Sequence, residues 1–250
     1  MVWIAQPLVY VERAGTGCRA DGCRLAMDDC SAVVHACAMA SDAPIVFVVD
    51  DDLGIREALS ALLSTYDLSV VAFGSASEYM TYPRPDVPSC LILDVELPDI
   101  NGLDLQSRTA AEDHPQIVFV TGHGDIPSSV RAMKAGAVDF LTKPFVEADL
   151  MRAVHAAIAK DREAKGKRAE LTELRQRLSS LTPREREALP LVVSGLLNKQ
   201  AAAELGISEI TMQIHRGKIM QKMQAGSLAD LVRMAGTLAI PITHSRRRPR

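Results

Sequence analysis

The sequence predicts an α/β domain followed by a smaller, all-α domain. Five short apolar segments between residues 45 and 141 each precede a segment with helical spacing. The run Cys90-Leu91-Ile92-Leu93 ends in Asp94 and turn residues, which is typical of a buried strand in a parallel sheet. Beyond Thr182 only helical patterns remain, and glycine turns separate them. A chain of 250 residues is long enough for two domains of ordinary size.

The five predicted strands are short and mostly apolar, and the first is a run of β-branched residues. They cover residues 45–49, 69–73, 90–93, 116–120 and 138–141. Apolar residues recur at three- and four-residue spacing in the predicted helices, which cover residues 53–65, 75–80, 103–112, 127–135 and 147–160. Pro127 suits the first turn of its helix. Because strands and helices alternate, we expect a doubly wound parallel sheet with right-handed crossovers and helices on both faces.

The smaller domain is predicted to begin at Thr182-Pro183, since Thr is a good N-cap and Pro a good first helical residue. Its helices are expected at residues 183–194, 198–205, 208–223 and 227–238. The short Gly206-Ile207 turn between the second and third helices gives a helix-turn-helix pattern. Pro190 lies inside the first helix, where it removes a backbone hydrogen bond and is expected to kink the helix.

The chain is predicted to contain five segments: a disordered extension, an α/β domain, a helical linker, a helix-turn-helix domain and a basic tail. Their expected ranges are 1–43, 44–160, 161–180, 181–240 and 241–250. The extension shows no clean periodicity, and its four cysteines match no common zinc or iron–sulfur spacing. The linker combines charged residues with leucines at three- and four-residue spacing, which favours a helix.

The net charge of −3 conceals a strong asymmetry along the chain. Residues 44–159 carry a net charge of −10 and residues 160–250 carry +9, while the first 43 residues add −2. This difference favours a nucleic-acid partner for the C-terminal half alone. No apolar run approaches the length of about 18 residues that suggests a membrane span, and the N-terminus makes a poor signal peptide. We therefore expect a cytoplasmic protein.

Charged and polar residues follow the predicted strands at one edge of the sheet. Asp50 and Asp51 follow the first strand, Asp94 the third, Thr121 the fourth and Lys143 the fifth. Ligands of open α/β sheets bind at this edge. Clustered carboxylates repel one another and favour a cation, and hard oxygen ligands suit Mg²⁺. A carboxylate beside Mg²⁺ can attack a phosphoryl group, whose oxygens an ammonium and a hydroxyl can then stabilise.

Each of these residues also has a structural explanation when it is considered alone. Asp52 suits a helix N-cap, Thr121 suits a turn and Lys143 suits a solvated surface. The combination of such groups at four strand ends is harder to explain structurally. The sequence therefore predicts a site that accepts a phosphoryl group.

The motifs Val49-Asp50-Asp51-Asp52, Leu93-Asp94, Thr121-Gly122-His123-Gly124-Asp125 and Lys143-Pro144-Phe145 resemble those of the receiver domain of two-component response regulators. This resemblance implies a flavodoxin-like fold and phosphorylation of Asp94 by a sensor histidine kinase. It also implies Mg²⁺ binding by Asp50, Asp51, Asp94 and the backbone carbonyl of Glu96. Thr121 and Lys143 would contact the phosphate, Phe140 would be the switch aromatic, and Lys143-Pro144 would be a cis peptide.

The helix expected near residues 209–223 has one apolar face and one mixed face. Met212, Ile219 and Met223 should pack inward. Gln213, Ile214, Gly217 and Gln221 are candidate base contacts, since Gln can pair with adenine and Ile can meet a thymine methyl group. Candidate phosphate contacts are Lys199, Arg216, Lys218 and Lys222. The alternative is that Ile214 belongs to the core and that the lysines form a solvated face.

The segment from Leu181 to Leu231 resembles the LuxR-type helix-turn-helix of the NarL/FixJ response regulators, on the stretches 181–187, 195–202, 206–208 and 215–223. Together with Thr121-Gly122-His123-Gly124-Asp125 and Met133-Lys134-Ala135-Gly136-Ala137, the likeness is greatest to the FixJ branch. It implies a transcription regulator that binds double-stranded DNA, forms a homodimer when phosphorylated and has RNA polymerase as a candidate partner. It implies no enzyme beyond the receiver's own phosphoryl transfer and dephosphorylation, and no membrane partner.

Two alternatives remain from the sequence. A phosphohydrolase of the haloacid dehalogenase type also uses Asp, Mg²⁺, Thr and Lys, but it needs a second Asp where this chain has Glu96. A receiver that serves only for protein binding would need no complete acidic site.

Overall fold

The computed structural model describes residues 43–109, 114–122 and 126–241. The predicted disordered extension, its four cysteines and nearly all of the basic tail lie outside these residues, as does the His123-Gly124-Asp125 part of the fourth strand-end motif. The described residues up to Ala164 form one compact unit, and those from Lys165 form a second. Within the described part of the chain, no helix is both long enough and apolar enough to cross a membrane.

The first unit alternates strands and helices, as predicted. The elements are β1 (Ile45–Val49), α1 (Leu53–Ser64), β2 (Ser69–Phe73), α2 (Ala76–Thr81), β3 (Ser89–Leu93), α3 (Gly102–Thr109), β4 (Gln116–Thr121), α4 (Ile126–Lys134), β5 (Asp139–Thr142) and the beginning of α5 (Glu147–Ser179). All four strand pairs are parallel, in the order β2-β1-β3-β4-β5. The predicted fold class is thereby confirmed.

Two apolar cores cover the two faces of the sheet. Alternate residues of β1 belong to different cores, Phe47 and Val49 to one and Val46 and Val48 to the other. Residues of α2, α3 and α4 complete the first core, and residues of α1 and α5 complete the second. Because both faces are covered, β3 is buried along its whole length, which explains the apolar run from Cys90 to Leu93.

Local side-chain bonds fix where the strands give way to helices. Asp52 is the N-cap of α1, where its carboxylate accepts hydrogen bonds from the backbone N–H groups of Gly54 and Ile55. The structural explanation considered for Asp52 is therefore correct. The Lys143-Pro144 peptide bond is cis, as the family resemblance implies.

Helix α5 is one continuous element of 33 residues that includes residues 161–179 of the predicted linker. In the first unit, buried Asp161 of this helix accepts a hydrogen bond from Ser89 N–H at 2.9 Å and so ties the helix to the start of β3. In the second unit, Arg177 donates to the carbonyl of Met223, and Leu174 is buried. The C-terminal part of the predicted linker is thus a packed part of the second unit.

The second unit contains the end of α5 and four further helices, α6 (Pro183–Val193), α7 (Asn198–Leu205), α8 (Glu209–Met223) and α9 (Leu228–Thr237). Thr182 and Glu185 form a reciprocal capping box at the start of α6. Gly206 ends α7 with φ at 64°, a left-handed conformation that glycine adopts readily. Helix α6 continues through Pro190, and the nearby Leu189 and Val192 are fully buried in the core.

Candidate functional site: an acidic cluster and an exposed helix face

Three aspartates meet at the carboxyl ends of β1 and β3. Asp50 and Asp94 are buried, whereas Asp51 is exposed. Strands β1 and β3 are neighbours in register, so Val49 and Leu93 lie side by side and the following aspartates meet. One carboxylate oxygen from each aspartate lies within 4.8 Å of those from the other two. These hard oxygen donors, one of them open to solvent, fit the preference of Mg²⁺ for carboxylates and water.

The ammonium group of Lys143 bridges the two buried aspartates. Its Nζ lies 2.6 Å from Oδ2 of Asp50 and 2.8 Å from Oδ2 of Asp94. Burial by itself lowers the pKa of Lys143, but the hydrogen bonds and charges of both aspartates raise that pKa above its ordinary value. Burial raises the pKa of Asp50, although Lys143 and the N–H of Asp52 counteract this effect. The bridge therefore balances two charges that would otherwise repel.

The loop after β3 fixes the backbone around Asp94. The N–H of Glu96 donates to Oδ1 of Asp94 at 3.1 Å, while the Glu96 side chain is exposed. Gly102 then folds back against the strand end, and its N–H bonds to the carbonyl of Val95. A Cβ at Gly102 would lie only 2.3 Å from the carbonyl oxygen of Asp94. The sequence shows Asn101-Gly102 only as a turn, because this close approach is a property of the folded chain.

Thr121 and Phe140 lie at the same side of the sheet. Thr121 is buried at the end of β4, in register with Thr142 of β5, and its carbonyl accepts a 2.8 Å hydrogen bond from the N–H of Lys143. Phe140 is half-buried, and its ring packs on Phe119 with centroids 6.0 Å apart. The carboxyl ends of β1, β3, β4 and β5 thus supply Asp50, Asp51, Asp94, Thr121 and Lys143, the residues that the sequence predicts for the phosphoryl-accepting site.

Sequence reasoning missed Arg56 of α1. Its guanidinium donates a 2.7 Å hydrogen bond to the backbone carbonyl of Asp50, directly beside the acidic cluster. A Cβ at Gly74 would lie 3.5 Å from the same guanidinium, so the β2–α2 connection passes close over this side chain. Arg56 follows Asp50 by six residues, a spacing that carries no recognised motif.

Helix α8 presents the face that the helical pattern predicts. Met212, Ile219 and Met223 are fully buried, as expected. The candidate base contacts are exposed, namely Gln213, Ile214, Gly217 and Gln221. Ile214 is 52% exposed, so the alternative that it belongs to the core is wrong. Ser208 caps the helix by accepting a hydrogen bond from the N–H of Thr211.

The four candidate phosphate contacts fall into two groups. Lys199 and Lys218 are exposed. Arg216 instead donates to the side chain of Asn198, and Lys222 forms a 2.6 Å ion pair with buried Glu185. Burial raises the pKa of Glu185, but hydrogen bonds from Lys222 and Thr182 outweigh it and hold that pKa below its ordinary value. Arg216 and Lys222 thus make contacts that stabilise the domain itself.

Two family models match the chain. The response regulator receiver domain matches residues 46–155, and the bacterial regulatory proteins of the luxR family match residues 179–235. The two matches fall on the acidic cluster and on the exposed face of α8, respectively.

Several curated proteins are similar to most of the chain. Nodulation protein W of Bradyrhizobium diazoefficiens is 51% identical over 207 residues, which cover 82% of this chain and 91% of that protein. Response regulator protein TodT of Pseudomonas putida is 44% identical over 202 residues, with coverages of 80% and 88%. Transcriptional regulatory protein FixJ of Azorhizobium caulinodans is 41% identical over 191 residues, with coverages of 76% and 90%.

Among solved structures, that of response regulator StyR is 45% identical, with a TM-score of 0.71, and the match covers 78% of this chain and 98% of StyR. The relatives are transcriptional response regulators, so the phosphohydrolase alternative is wrong. The chain therefore belongs to the two-component response regulators of the NarL/FixJ family, in its FixJ-like branch, and is a phosphorylation-dependent transcription regulator.

Proposed function

We propose that Asp94 accepts the phosphoryl group from a phosphohistidine of a sensor histidine kinase. Asp50, Asp51, Asp94 and the backbone carbonyl of Glu96 would hold Mg²⁺. The observation that carries this proposal is the Lys143 bridge, which holds the carboxyl groups of Asp50 and Asp94 side by side at the strand ends. A buried carboxylate that is fixed in place beside a cation is a nucleophile positioned for phosphoryl transfer.

The proposed reaction exchanges one bond for another. A carboxylate oxygen of Asp94 forms a bond to phosphorus, while the bond from phosphorus to the kinase imidazole nitrogen breaks and that nitrogen keeps the electron pair. Lys143 lies beside the attacking carboxylate, where its ammonium can pair with phosphoryl oxygens. The hydroxyl of Thr121 can donate a hydrogen bond to one of these oxygens. When bound, Mg²⁺ supplies positive charge to the same oxygens.

The switch that we propose follows from the position of Phe140. Movement of Thr121 towards the phosphoryl group would free space for the half-buried ring, and the surface around residues 126–145 would change. That surface already exposes Ile126, Val130 and Met133 on one stripe of α4, with exposed fractions of 80%, 43% and 47%. An apolar stripe of this kind suits pairing with a second copy of the chain.

The paired chains would place two α8 helices on two half-sites of double-stranded DNA. The exposed residues Gln213, Ile214, Gly217 and Gln221 would face base edges, and Lys199 and Lys218 would face phosphates. Arg216 and Lys222 stay candidates at the margin of this face, since both already bond within the domain. RNA polymerase is the partner that we propose for the DNA-bound dimer.

A small-molecule phosphoryl donor tests the proposal without knowledge of the kinase. With acyl phosphate and Mg²⁺, the wild-type chain should gain one phosphoryl group by mass spectrometry, dimerise and bind DNA more tightly. Asp94→Asn should remain monomeric and unmodified, with an unchanged melting temperature as evidence of folding. An Asp94→Asn chain that dimerises and binds DNA after the same treatment would contradict the proposal.

A further inference from the structure

Helix α8 carries apolar residues on both of its faces, which departs from the usual pattern of a surface helix. Ile219 is fully buried in the core of the domain. Ile210 precedes it by nine residues, or two and a half helical turns, and therefore lies on the opposite side. The exposed fractions of Ile210 and of Ile214, one turn later, are 72% and 52%. Together they form an apolar pair, Ile210 and Ile214, at the centre of the exposed face.

The stability of the domain does not account for this pair. A β-branched residue loses side-chain freedom in a helix and favours helix formation less than Glu, Lys or Ala would. A side chain that stays largely in solvent gains little from packing. Single exposed apolar residues are common on protein surfaces, but two of them one turn apart on the same face form a contact surface.

The neighbours of the apolar pair indicate its partner. Gln213, Gly217 and Lys218 are exposed on the same side of the helix. A Cβ at Gly217 would meet nothing within 4 Å, so packing within the domain does not require a glycine there. A glycine without a packing reason permits close approach of a partner, and Lys218 favours a partner with negative charge. The DNA major groove combines phosphates with the thymine methyl group, the apolar feature of base edges.

We infer that Ile210 and Ile214 recognise the methyl groups of two nearby thymines in the major groove. The inference rests on the proposed binding of DNA by α8 and adds Ile210 as a specificity-determining residue. The two side chains start about 6 Å apart along the helix, which corresponds to roughly two base steps. Each half-site bound by this chain is accordingly expected to contain two such thymines.

Deoxyuridine provides the test, because it removes only the methyl group of thymine and keeps the base pair. The full-length chain, phosphorylated with a small-molecule donor, first selects its preferred duplex from a random library. Each thymine of that duplex is then replaced in turn, and the dissociation constant is measured for wild type, Ile210→Ala and Ile214→Ala. Met80→Ala serves as a matched control, since Met80 is an apolar residue of α2 that is 45% exposed.

For the wild type, replacement at either of two thymines in a half-site should weaken binding about fourfold, the value of burying one methyl-sized group. Ile210→Ala should bind the thymine duplex more weakly by a similar factor. At one of the two positions, replacing thymine by deoxyuridine should then no longer weaken the binding of this variant. Binding of Ile214→Ala should be insensitive to deoxyuridine at the other position. Met80→Ala should stay sensitive to deoxyuridine at both positions. Lys199→Ala should weaken binding to every duplex by the same factor and also keep both responses.

The inference is overturned if Ile210→Ala keeps the wild-type response at every thymine, or if the selected half-sites lack thymine. It is equally overturned if Ile210→Ala changes the oligomeric state and leaves the uridine responses unchanged, because Ile210 then contacts a second copy. If the phosphorylated wild type selects no duplex at all, the proposed DNA binding fails and the inference fails with it. If a duplex is selected but no deoxyuridine replacement weakens binding, the inference is wrong and the proposed DNA binding stands.

Discussion

Lys143 occupies the position of a counter-cation in the acidic cluster. Its ammonium lies within 2.8 Å of both buried aspartates, so any divalent ion must share their charge with it. A like charge a few ångström away costs on the order of 1–4 kcal/mol. Lys143→Met should therefore raise the affinity for Mg²⁺ about tenfold while it slows phosphorylation of Asp94.

Isothermal titration of Mg²⁺ into both proteins measures the first effect, and mass spectrometry over time after addition of acyl phosphate measures the second. Lys134→Met removes an exposed lysine of α4 and should change neither quantity. An equal or lower Mg²⁺ affinity of Lys143→Met would show that the ammonium does not compete with the ion.

The role of Gly102 depends on a single close contact. Its missing side chain allows the turn to pass beside the carbonyl of Asp94, where a Cβ would lie at 2.3 Å. Gly102→Ala should lower the free energy of unfolding by about 1–3 kcal/mol, the usual range for an overpacked site. Since the displaced backbone belongs to Asp94, phosphorylation should also slow.

Gly166→Ala is the matched control for that change. Gly166 lies in α5, and a Cβ there would meet nothing within 4 Å. This substitution should raise the free energy of unfolding by about 0.5–1 kcal/mol, because Ala favours helices more than Gly does. Urea unfolding of the three proteins compares them, and equal loss of stability in both variants would argue against a steric cause.

At the scale of elements, the ion pair between Glu185 and Lys222 joins the first turn of α6 to the last turn of α8. Glu185 also completes the capping box with Thr182. Glu185→Gln keeps the shape of the side chain but leaves Lys222 without a charged partner. It should cost about 1–3 kcal/mol at pH 7, whereas the same change at exposed Glu187 should cost less than about 1 kcal/mol.

The pKa of Glu185 determines how this cost depends on pH. The pKa is lowered in the folded protein, so its contribution to stability is complete above the ordinary value of 4.5. The contribution is lost as the pH falls below 4.5 and through the lower folded-state pKa. Thermal unfolding of wild type and Glu185→Gln should differ at pH 7 and converge in acid. A difference that persists unchanged to pH 2 would exclude this origin.

The order and type of the elements could be predicted from the sequence because each depends on local pattern. The apolar pattern of each strand or helix is local, Pro183 marks the start of α6, and Gly206 marks the end of α7. The contacts made by Arg56, Gly102 and Lys222 could not be predicted in this way. Each joins segments that meet only after folding, and a helical wheel cannot include the neighbouring helices. Lys222 was thus a candidate phosphate contact although its ammonium binds Glu185.

At the scale of the whole molecule, the charge is divided between the two halves, with −10 in residues 44–159 and +9 in residues 160–250. Binding of DNA by the basic half should weaken strongly as salt rises, because each phosphate contact releases counterions. Lys199→Ala should reduce the slope of log affinity against log salt by about 1. Lys160→Ala, which removes an exposed lysine of α5, should leave the slope unchanged.

Fluorescence anisotropy of a labelled duplex at several salt concentrations measures these slopes. A slope that Lys199→Ala does not alter would place this residue outside the phosphate contacts. Because the two units carry opposite charge, the net charge of −3 describes neither of them and does not indicate that one unit is basic enough to bind DNA.

The end of α5 has a practical consequence for anyone who wishes to clone the regulator in pieces. Arg177 donates to the carbonyl of Met223, Lys222 donates to that of Ser180, and Arg186 donates to that of Leu178. A truncated fragment that starts at residue 181 would lose all three bonds together with buried Leu174. Expression trials of the isolated DNA-binding half should accordingly start near residue 165, and the shorter product should melt at a lower temperature or precipitate.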